Sequence, residues 1–593
     1  MREPDVDDAL GAAFDRRLVA RLLAVARPHR RLIAATAALF PLIAAAELAQ
    51  PYLIKVAIDE HILAGDWAGL TGVAALFLVA IGVLAAFRAA EFYLMQATGQ
   101  HVMHDLRTAL FGHLLRQEAA FFDRQPVGRL MTRVLNDVEA VQEAFTSGLF
   151  AVIADTVTLV GVVAVMLWLD WRLALVAFSL MPVLALVAAW FRRRARDAYR
   201  EVRRRLARLN ASLQESLQGM TVIQLFGRQA HEEAAFRRLN VDYRRALFRS
   251  LGWEAALYAS VEALGAATVA VLLWYGAGEI VAGALSFGTL VAFIQYTNRF
   301  FLPIRDLGAK YAVMQAAMAA AERIFGLLDR RPAVASPPAP RRPAGGRSIP
   351  AVEFAGVWFA YAGEDWVLRD CSFAVARGEH VAIVGATGAG KTTCARLLTR
   401  AYDVARGRVL VEGVDVREWD LEHLRRHVGV VLQDTVLFSG PVAANLAGPD
   451  GPLPPGDLAR VLEVSGARAV VDRLPRGLDE PLAERAQNLS HGQRQLLAIA
   501  RALGYNPAVL VLDEATSGVD PESETLIRRA MVRLGRGRTT ITIAHRLSTV
   551  QWADRILVLH RGRVHEQGRH AELVRRGGLY ARLWELAARS DSR

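Results

Sequence analysis

The sequence predicts a multi-domain membrane protein. An all-α transmembrane domain of six helices, with long cytoplasmic helical extensions, precedes an α/β P-loop domain. Three observations predict this architecture. Apolar runs long enough to cross a bilayer recur through the first half of the chain. A Pro- and Arg-rich stretch then interrupts the pattern, and beyond it short apolar strands alternate with helical segments around a glycine-rich loop.

Composition and charge placement fit a membrane protein better than a nucleic-acid-binding one. The chain has 593 residues, which is enough for several domains, and its 53% hydrophobic residues indicate apolar spans joined to a charged soluble part. A net charge of +12 would suit nucleic acid. However, nine arginines crowd between Arg192 and Arg208, directly after an apolar run. Basic residues beside spans are the positive-inside pattern, so no nucleic-acid partner is expected.

The N-terminal lead-in and the cysteines indicate a cytosolic environment. We predict that residues 1–30 contain an interfacial helix whose arginines reach lipid phosphates. A solvated basic helix that feeds the first span is the alternative. The two cysteines, Cys371 and Cys394, both fall in the half that must face the cytosol, so a structural disulfide is not expected.

The transmembrane domain is predicted to cover residues 31–329. Its six spans are placed near 32–56, 68–95, 144–168, 172–191, 255–276 and 284–304. The connections expected outside the cell are short and carry almost no excess positive charge, whereas segments 96–143 and 192–254 are long, polar and basic. This asymmetry predicts an even number of spans with both termini in the cytoplasm.

Residues 330–350 are predicted to be an extended linker, because Pro, Arg, Ala and Gly dominate the stretch. A nucleotide-binding domain is then expected at 351–593. Within it, Gly385 to Thr392 matches G-x-x-x-x-G-K-[ST] in full and follows an apolar strand. Its glycines let backbone N–H groups approach phosphates at a helix N-terminus. The predicted phosphate-binding residues are Gly385, Thr387, Gly388, Ala389, Gly390, Lys391, Thr392 and Thr393.

Two further motifs follow the phosphate loop in a fixed order. Leu489-Ser490-His491-Gly492-Gln493 precedes an apolar strand that ends in Asp513. Thr392 and Asp513 are predicted to hold Mg²⁺. The ordered trio of motifs resembles the ATP-binding cassette (ABC) family. Because a membrane half lies ahead of the cassette, the resemblance is to the family's exporters and covers nearly the whole chain.

The resemblance implies roles for five more residues. Glu514 would polarise the attacking water as general base, and His545 would contact the γ-phosphate. Gln433 would touch Mg²⁺ and sense the membrane domain. Asp520 would link two nucleotide sites, and Tyr361 would stack on adenine, unless it simply packs within its strand.

The resemblance also implies that the chain is one half of a dimer. Ser490, Gly492 and Gln493 would bind the γ-phosphate held by the other subunit. His491 stands where the family has Gly, which permits backbone conformations and close approach that His permits poorly. Because Glu514 is intact, this departure favours a heterodimer with a different half-transporter, while a homodimer stays open.

Coupling and substrate-contacting segments can be proposed as well. Two segments resemble the family's turns that dock on a cassette, namely Phe121 to Gly128 and Gly219 to Ile223. Glu484 resembles a residue of the cassette loop that contacts those turns, although the family usually has Gly where this chain has Ala486. The acids Glu47, Asp155 and Glu262 lie in or near apolar runs without an evident partner. They could line a cavity for cationic amphiphiles or bond between helices.

The function implied is ATP-driven export of small amphiphilic molecules, such as drugs, lipids or peptides, by alternating access, with ATP and Mg²⁺ as cofactors. A homodimeric lipid flippase and an ATP-gated channel are the alternatives. An importer is disfavoured, because it often carries its membrane part on a separate chain.

Overall fold

The computed structural model describes residues 16–343, 348–433, 435–448, 451–513, 521–535, 538–544 and 550–591. The chain divides into two compact units. The first comprises Met1–His113 with Gly128–Arg330, and the second comprises Leu114–Val127 with Arg331–Arg593. The first unit is helical and the second is α/β, which confirms the predicted fold class. The second unit recruits a short segment from the N-terminal half of the chain.

Helices account for the N-terminal half. They are α1 (Arg16–Ala26), α2 (Arg30–Val56), α3 (Trp67–Leu114), α4 (Ala119–Arg124), α5 (Val127–Thr132), α6 (Val138–Glu143), α7 (Ala151–Leu169), α8 (Trp171–Phe178), α9 (Met181–Gln218), α10 (Met220–Leu225), α11 (Gln229–Val281) and α12 (Phe287–Leu328). Short 3₁₀ and π-helical turns join several of them, so continuous rods run well beyond the length of a membrane span.

Five helical stretches within the described residues are long and apolar enough to cross a membrane. They are Arg16–Ile62, Trp67–Leu114, Val127–Leu169, Trp171–Phe191 and Gln229–Val281. The sixth predicted span falls within α12, where some side chains lie outside the described set, and it stays a prediction. Exposed Trp171 and Trp190 are separated by about 28 Å of helical rise, which matches the spacing of two interfacial aromatic belts.

The charged residues inside the apolar runs are paired with one another. Arg88 donates to Glu47 on α2 at 2.5 Å and to Glu91, one turn along α3, at 2.9 Å. Lys310 on α12 donates to Asp155 on α7. The expectation that Glu47 and Asp155 lack partners is therefore wrong, and their interhelical bonds favour the structural reading over a cation-binding cavity.

Arg21 of α1 binds the end of α12 in the same unit. Its guanidinium makes two parallel hydrogen bonds to the Asp329 carboxylate, at 2.6 and 2.7 Å. It also lies 4.1 Å from the centroid of the Phe325 ring. This bidentate geometry commits Arg21 to Asp329, so it is not among the arginines predicted to reach lipid phosphates.

The second unit is built on three sheets. Its strands are β1 (Val352–Ala360), β2 (Trp366–Val375), β3 (His380–Gly385), β4 (Arg406–Val411), β5 (Val414–Asp415), β6 (Val428–Val431), β7 (Gly440–Pro441), β8 (Pro481–Leu482), β9 (Val509–Asp513), β10 (Thr539–Ile543), β11 (Arg555–His560) and β12 (Arg563–Gly568). The antiparallel sheet has the order β2-β1-β4-β5, the main sheet β12-β11-β3-β10-β9-β6, and β7 pairs with β8. Strands β11, β3, β10, β9 and β6 run parallel, and β12 closes the edge antiparallel.

Helices make up the rest of the described part of this unit. They are α13 (Lys391–Leu398), α14 (Leu421–His427), α15 (Val442–Leu446), α16 (Pro455–Ser465), α17 (Arg468–Val471), α18 (His491–Gly504), α19 (Pro521–Gly535), α20 (His570–Arg575) and α21 (Leu579–Asp591). One core lies between the antiparallel and main sheets and contains both cysteines, which are free thiols. A second core lies under α16, α18 and α19. Every residue of the parallel strands β9 and β10 is buried, as expected for a sheet covered on both faces.

A buried histidine on β3 predicts acid sensitivity of this unit. The His380 ring stacks on Trp552 at 4.2 Å, its Nε2 bonds the Thr542 hydroxyl at 2.9 Å, and burial lowers its pKa to about 4. The folded state therefore binds fewer protons than the unfolded state as pH falls from 6.5 to about 4, so stability is lost across that window. At pH 5 we expect a cost on the order of 2 kcal/mol. Thermal unfolding at pH 7 and pH 5 should show a smaller acid shift for His380→Gln; an equal shift would contradict this.

Candidate functional site

Three predicted site segments lie at the carboxyl ends of parallel strands in the main sheet. The phosphate loop follows β3, Asp513 ends β9, and Gln433 comes two residues after β6. The register pairs Val431 with Leu512, so the ends of β6 and β9 lie side by side. Strand β10 lies between β3 and β9 and pairs in parallel with both. In open parallel sheets, ligands bind at this edge, so the topology brings the phosphate loop, Asp513 and Gln433 to one edge of the sheet.

The phosphate loop has the backbone that its glycines require. Gly390 caps α13 with φ of 101°, in the left-handed region, and a Cβ there would lie 2.6 Å from the Leu368 side chain. Lys391 follows as the first residue of α13, and its Nζ donates to the Gly385 and Ala386 carbonyls at 2.8 and 3.1 Å. The ammonium therefore lies over the loop, where a phosphate cradled by its N–H groups would meet it.

The other loop residues divide between exposed and packed positions. Thr387 and Gly388 are exposed at the crest of the loop, whereas Ala389 and Thr393 are buried. The Thr393 hydroxyl bonds the Tyr361 hydroxyl at 3.1 Å, so Thr393 links the loop to the predicted base-stacking residue. Its predicted role as a phosphate ligand stays a prediction.

Asp513 provides a physical test of the predicted Mg²⁺ site. The residue is 2% exposed, and its Oδ1 has no hydrogen-bond partner within the described part of the chain. Burial raises the pKa of its carboxyl, opposed by a hydrogen bond from Thr392. A buried carboxylate beside a hydroxyl, with one oxygen unsatisfied, fits a hard cation that prefers oxygen ligands. Exposed Gln433 can bring an amide oxygen to the same edge.

The segment Leu489 to Gln493, called the signature segment below, lies at the N-terminus of a helix and supplies the cap of that helix. Ser490 Oγ accepts from the Gln493 backbone N–H at 3.2 Å, and the Ser490 N–H donates to Gln493 Oε1 at 2.9 Å. This capping box fixes the first turn of α18. The Ser490 hydroxyl keeps its proton to donate outward, which suits the predicted phosphate contact. Gly492 is buried within the turn.

His491 lies in the first turn with an ordinary helical backbone, as the first residue of α18. The backbone at position 491 therefore does not require Gly, and the expectation that Gly permits a closer approach there stays a prediction. The difference from Gly that remains is the imidazole side chain, which is half-exposed at the helix N-terminus. By contrast, Arg485 and Ala486, in the predicted coupling loop, have φ of 54° and 51°. The left-handed backbone explains why Gly is suited to position 486.

Tyr361 lies next to the phosphate loop in an aromatic cluster. Its ring meets Phe359 and Tyr402 edge-on at centroid distances of 4.8 and 5.2 Å. The Arg396 guanidinium lies 5.7 Å from its centroid. The ring is half-buried, so both readings made from the sequence, adenine stacking and packing within the strand, fit its position.

Three predicted residues, Glu514, Asp520 and His545, lie outside the described residues. Their roles stay predictions. Sequence reasoning singled out Phe121 to Gly128 but missed its contacts: Asp123 bonds Tyr402, and Arg124 donates to the Tyr361 carbonyl at 3.4 Å. These residues are more than two hundred positions apart, and no local pattern reports such a pairing.

Comparison with known proteins agrees with this geometry. Residues 33–304 match the ABC transporter transmembrane region, and residues 368–517 match the ABC transporter family. A probable multidrug resistance ABC transporter ATP-binding/permease protein, YheH of Bacillus subtilis, is 35% identical over 84% of this chain and 74% of its own length. An ATP-dependent lipid A-core flippase of Thiobacillus denitrificans is 35% identical over 97% of this chain and 99% of its own.

A solved structure, described as a bacterial Atm1-family ABC exporter with ATP bound, has the same fold. Its TM-score is 0.77 at 31% identity, and the match covers 94% of this chain and 98% of that one. The phosphate loop, the buried Asp513 and the capped signature helix thus occur in a chain that matches such exporters along nearly its whole length. The chain belongs to the ABC transporter family, among the exporters that couple ATP hydrolysis to transport.

Proposed function

We propose that the chain exports small amphiphilic molecules, drugs or lipids, across a bacterial cytoplasmic membrane as one half of a dimer. The observation that carries the proposal is the grouping of Lys391, Thr392 and Asp513 at the carboxyl edge of the main sheet, in a chain whose first half is long apolar helices. Relatives named for multidrug resistance and for lipid A-core flipping support the substrate class.

Mg²⁺ would be held by Thr392 and Asp513, with Gln433 as a further oxygen ligand. The bound ion would neutralise charge that develops on the phosphate oxygens during hydrolysis. Lys391 would exchange the carbonyls of its own loop for β- and γ-phosphate oxygens. Glu514 would orient and deprotonate the attacking water, and His545 would contact the γ-phosphate. We place Asp520 between the two nucleotide sites of the dimer.

A second subunit would complete each site. Ser490 and the N-terminus of α18 would face the γ-phosphate bound by the partner. Helix α10 supports a partner as well, because Val222, Leu225 and neighbouring Phe226 are 56%, 78% and 76% exposed. An apolar cytoplasmic surface of this kind is typical of a docking site, and we propose that it docks on the partner's cassette. Both termini would be cytoplasmic.

Transport in vesicles tests the proposal. Purified protein would be reconstituted into inverted vesicles, and ATP-dependent movement of fluorescent drugs and labelled phospholipids would be followed. We expect movement of at least one class that stops when Mg²⁺ is chelated. An active ATPase that moves no member of a broad panel would overturn the exporter proposal, and single-channel current under the same conditions would favour the channel alternative.

His491 provides a prediction about the partner. We propose a heterodimer, because the imidazole occupies the helix N-terminus that a partner's phosphate would approach. The chain purified alone is then expected to be monomeric or nearly inactive, and to gain activity when a neighbouring half-transporter is co-expressed. Where the chain alone forms a nearly inactive dimer, His491→Gly should raise its turnover by roughly tenfold, which corresponds to about 1.4 kcal/mol of barrier.

Native mass and ATPase rate check this prediction. A stable homodimer whose turnover is unaffected by His491→Gly would refute the heterodimer and support the homodimeric flippase.

A further inference from the structure

We propose that Asp123 is a positioning residue for the nucleotide base: it holds Tyr402 and Arg396 around Tyr361, so that docking of α4 sets the affinity for adenine. The inference rests on the proposed function together with the expectation from the sequence that adenine stacks on Tyr361. It goes further by tying that ring to a helix that follows α3 directly in the chain.

The contacts belong to one compact unit, because Leu114–Val127 folds with the cassette. The Tyr402 hydroxyl donates to the Asp123 carboxylate, and Arg396 Nη1 lies 3.7 Å from the same carboxylate oxygen. Next along α4, Arg124 donates to the Tyr361 carbonyl at 3.4 Å. Two consecutive residues of one short helix therefore contact both the ring neighbours and the backbone of Tyr361.

Asp123 controls these neighbours through charge and hydrogen bonding. Tyr402 is 9% exposed, and burial together with the Asp123 carboxylate raises the pKa of its hydroxyl to about 12, so it remains a donor. Arg396 is more exposed, with 43% of its side chain accessible, and it lies 5.7 Å from the Tyr361 centroid. A long cation in that position is restrained chiefly by its ion pair.

Arg396 and a bound adenine base would compete for the aromatic ring of Tyr361. While Arg396 is paired with Asp123, its guanidinium stays 5.7 Å from the Tyr361 centroid, and we infer that the opposite face of the ring is left for a flat purine. Without that pairing, the guanidinium can settle over the ring face that adenine needs, because cations are attracted to that face. Loss of the Tyr402 bond also frees the ring that holds Tyr361 edge-on. Weaker base stacking is therefore expected when Asp123 is neutralised.

The test separates the base from the phosphates. ATPase kinetics of the full-length protein, with its partner if one is required, would be compared for wild type, Asp123→Asn and Tyr402→Phe. Inorganic tripolyphosphate would serve as a competitive ligand that lacks a base. We expect KM for ATP to rise about threefold to tenfold in both variants, with kcat within about twofold and the Ki of tripolyphosphate unchanged. The exposed carboxyl variant Asp472→Asn is the matched control and should behave as wild type.

Two outcomes would overturn the inference. One is an unchanged KM for ATP in both variants. The other is a parallel rise in the Ki of tripolyphosphate, which would mean that the phosphate site is disturbed. If Asp123→Asn does not fold, Tyr402→Phe decides alone, because it keeps the ring and removes only the bond. If Tyr361→Ala also leaves KM unchanged, the stacking role itself is wrong; absent ATPase activity in wild type would instead contradict the proposed function.

Discussion

Replacing Asp513 with asparagine is expected to lower ATP turnover at least about a hundredfold while making the nucleotide-free protein more stable. The two effects have one origin. The carboxylate is 2% exposed, its Oδ1 has no hydrogen-bond partner among the described residues, and burial raises its pKa, so its charged form is costly in the folded state. A neutral amide removes that cost, which is about 1–3 kcal/mol for a buried unsatisfied group, but supplies a poorer ligand for Mg²⁺.

The pH dependence gives this prediction a second readout. A carboxyl whose folded-state pKa is raised contributes stability that is full below its ordinary value of 3.8 and is lost as pH rises through the folded-state pKa. The gain in thermal stability of Asp513→Asn over wild type should therefore widen from pH 4 to pH 7. Adding Mg²⁺ and ATP should stabilise wild type more than the variant. Turnover within a fewfold of wild type would exclude Asp513 from the metal site.

Replacing Glu514 with glutamine is expected to reduce ATP hydrolysis by about 10²–10⁴-fold, because the amide cannot accept the proton of the attacking water. The variant keeps the shape and hydrogen-bonding reach of the side chain. ATP binding should therefore persist, and the closed dimer should accumulate with nucleotide trapped between its cassettes. Single-turnover hydrolysis and retention of labelled ATP after gel filtration measure the two effects separately.

The surface variant Glu422→Gln, on α14, is the matched control and should hydrolyse ATP as wild type does. If Glu514→Gln retained more than a tenth of the wild-type rate, the general base would have to be sought elsewhere at the strand ends. If ATP binding were lost as well, the residue would contribute to the site structurally, and its assignment as the base would fail.

Motifs whose geometry is local could be predicted from the sequence. The turn at Gly390 and the start of α13 depend on a few consecutive residues, and the serine and glutamine spacing at Ser490 and Gln493 is itself the signal of a capping box. The order of apolar strands likewise predicted an α/β sheet. These features follow from backbone chemistry within a single turn or strand.

Contacts between distant positions could not be predicted in the same way. Glu47 and Arg88 are far apart in the chain and meet only because α2 and α3 are neighbours at that level. Asp123 finds Tyr402 only once the cassette has folded. The backbone argument about His491 does not hold for a different reason: His491 lies in the first turn of α18, and the residue at which a helix begins is not fixed by a short motif.

The recruitment of α4 by the second unit has a consequence for how the protein is made. Ala119 and Ala120 pack against the core between the two sheets, Phe121 is 1% exposed, and Glu118 accepts from the Ala333 N–H at 3.0 Å. These residues leave the ribosome long before the strands they cover. A fragment that begins at Arg331 would lack residues 114–127, so the apolar surface that they cover would be exposed to solvent. Soluble expression of the C-terminal half should therefore improve when a peptide spanning 114–127 is supplied in trans.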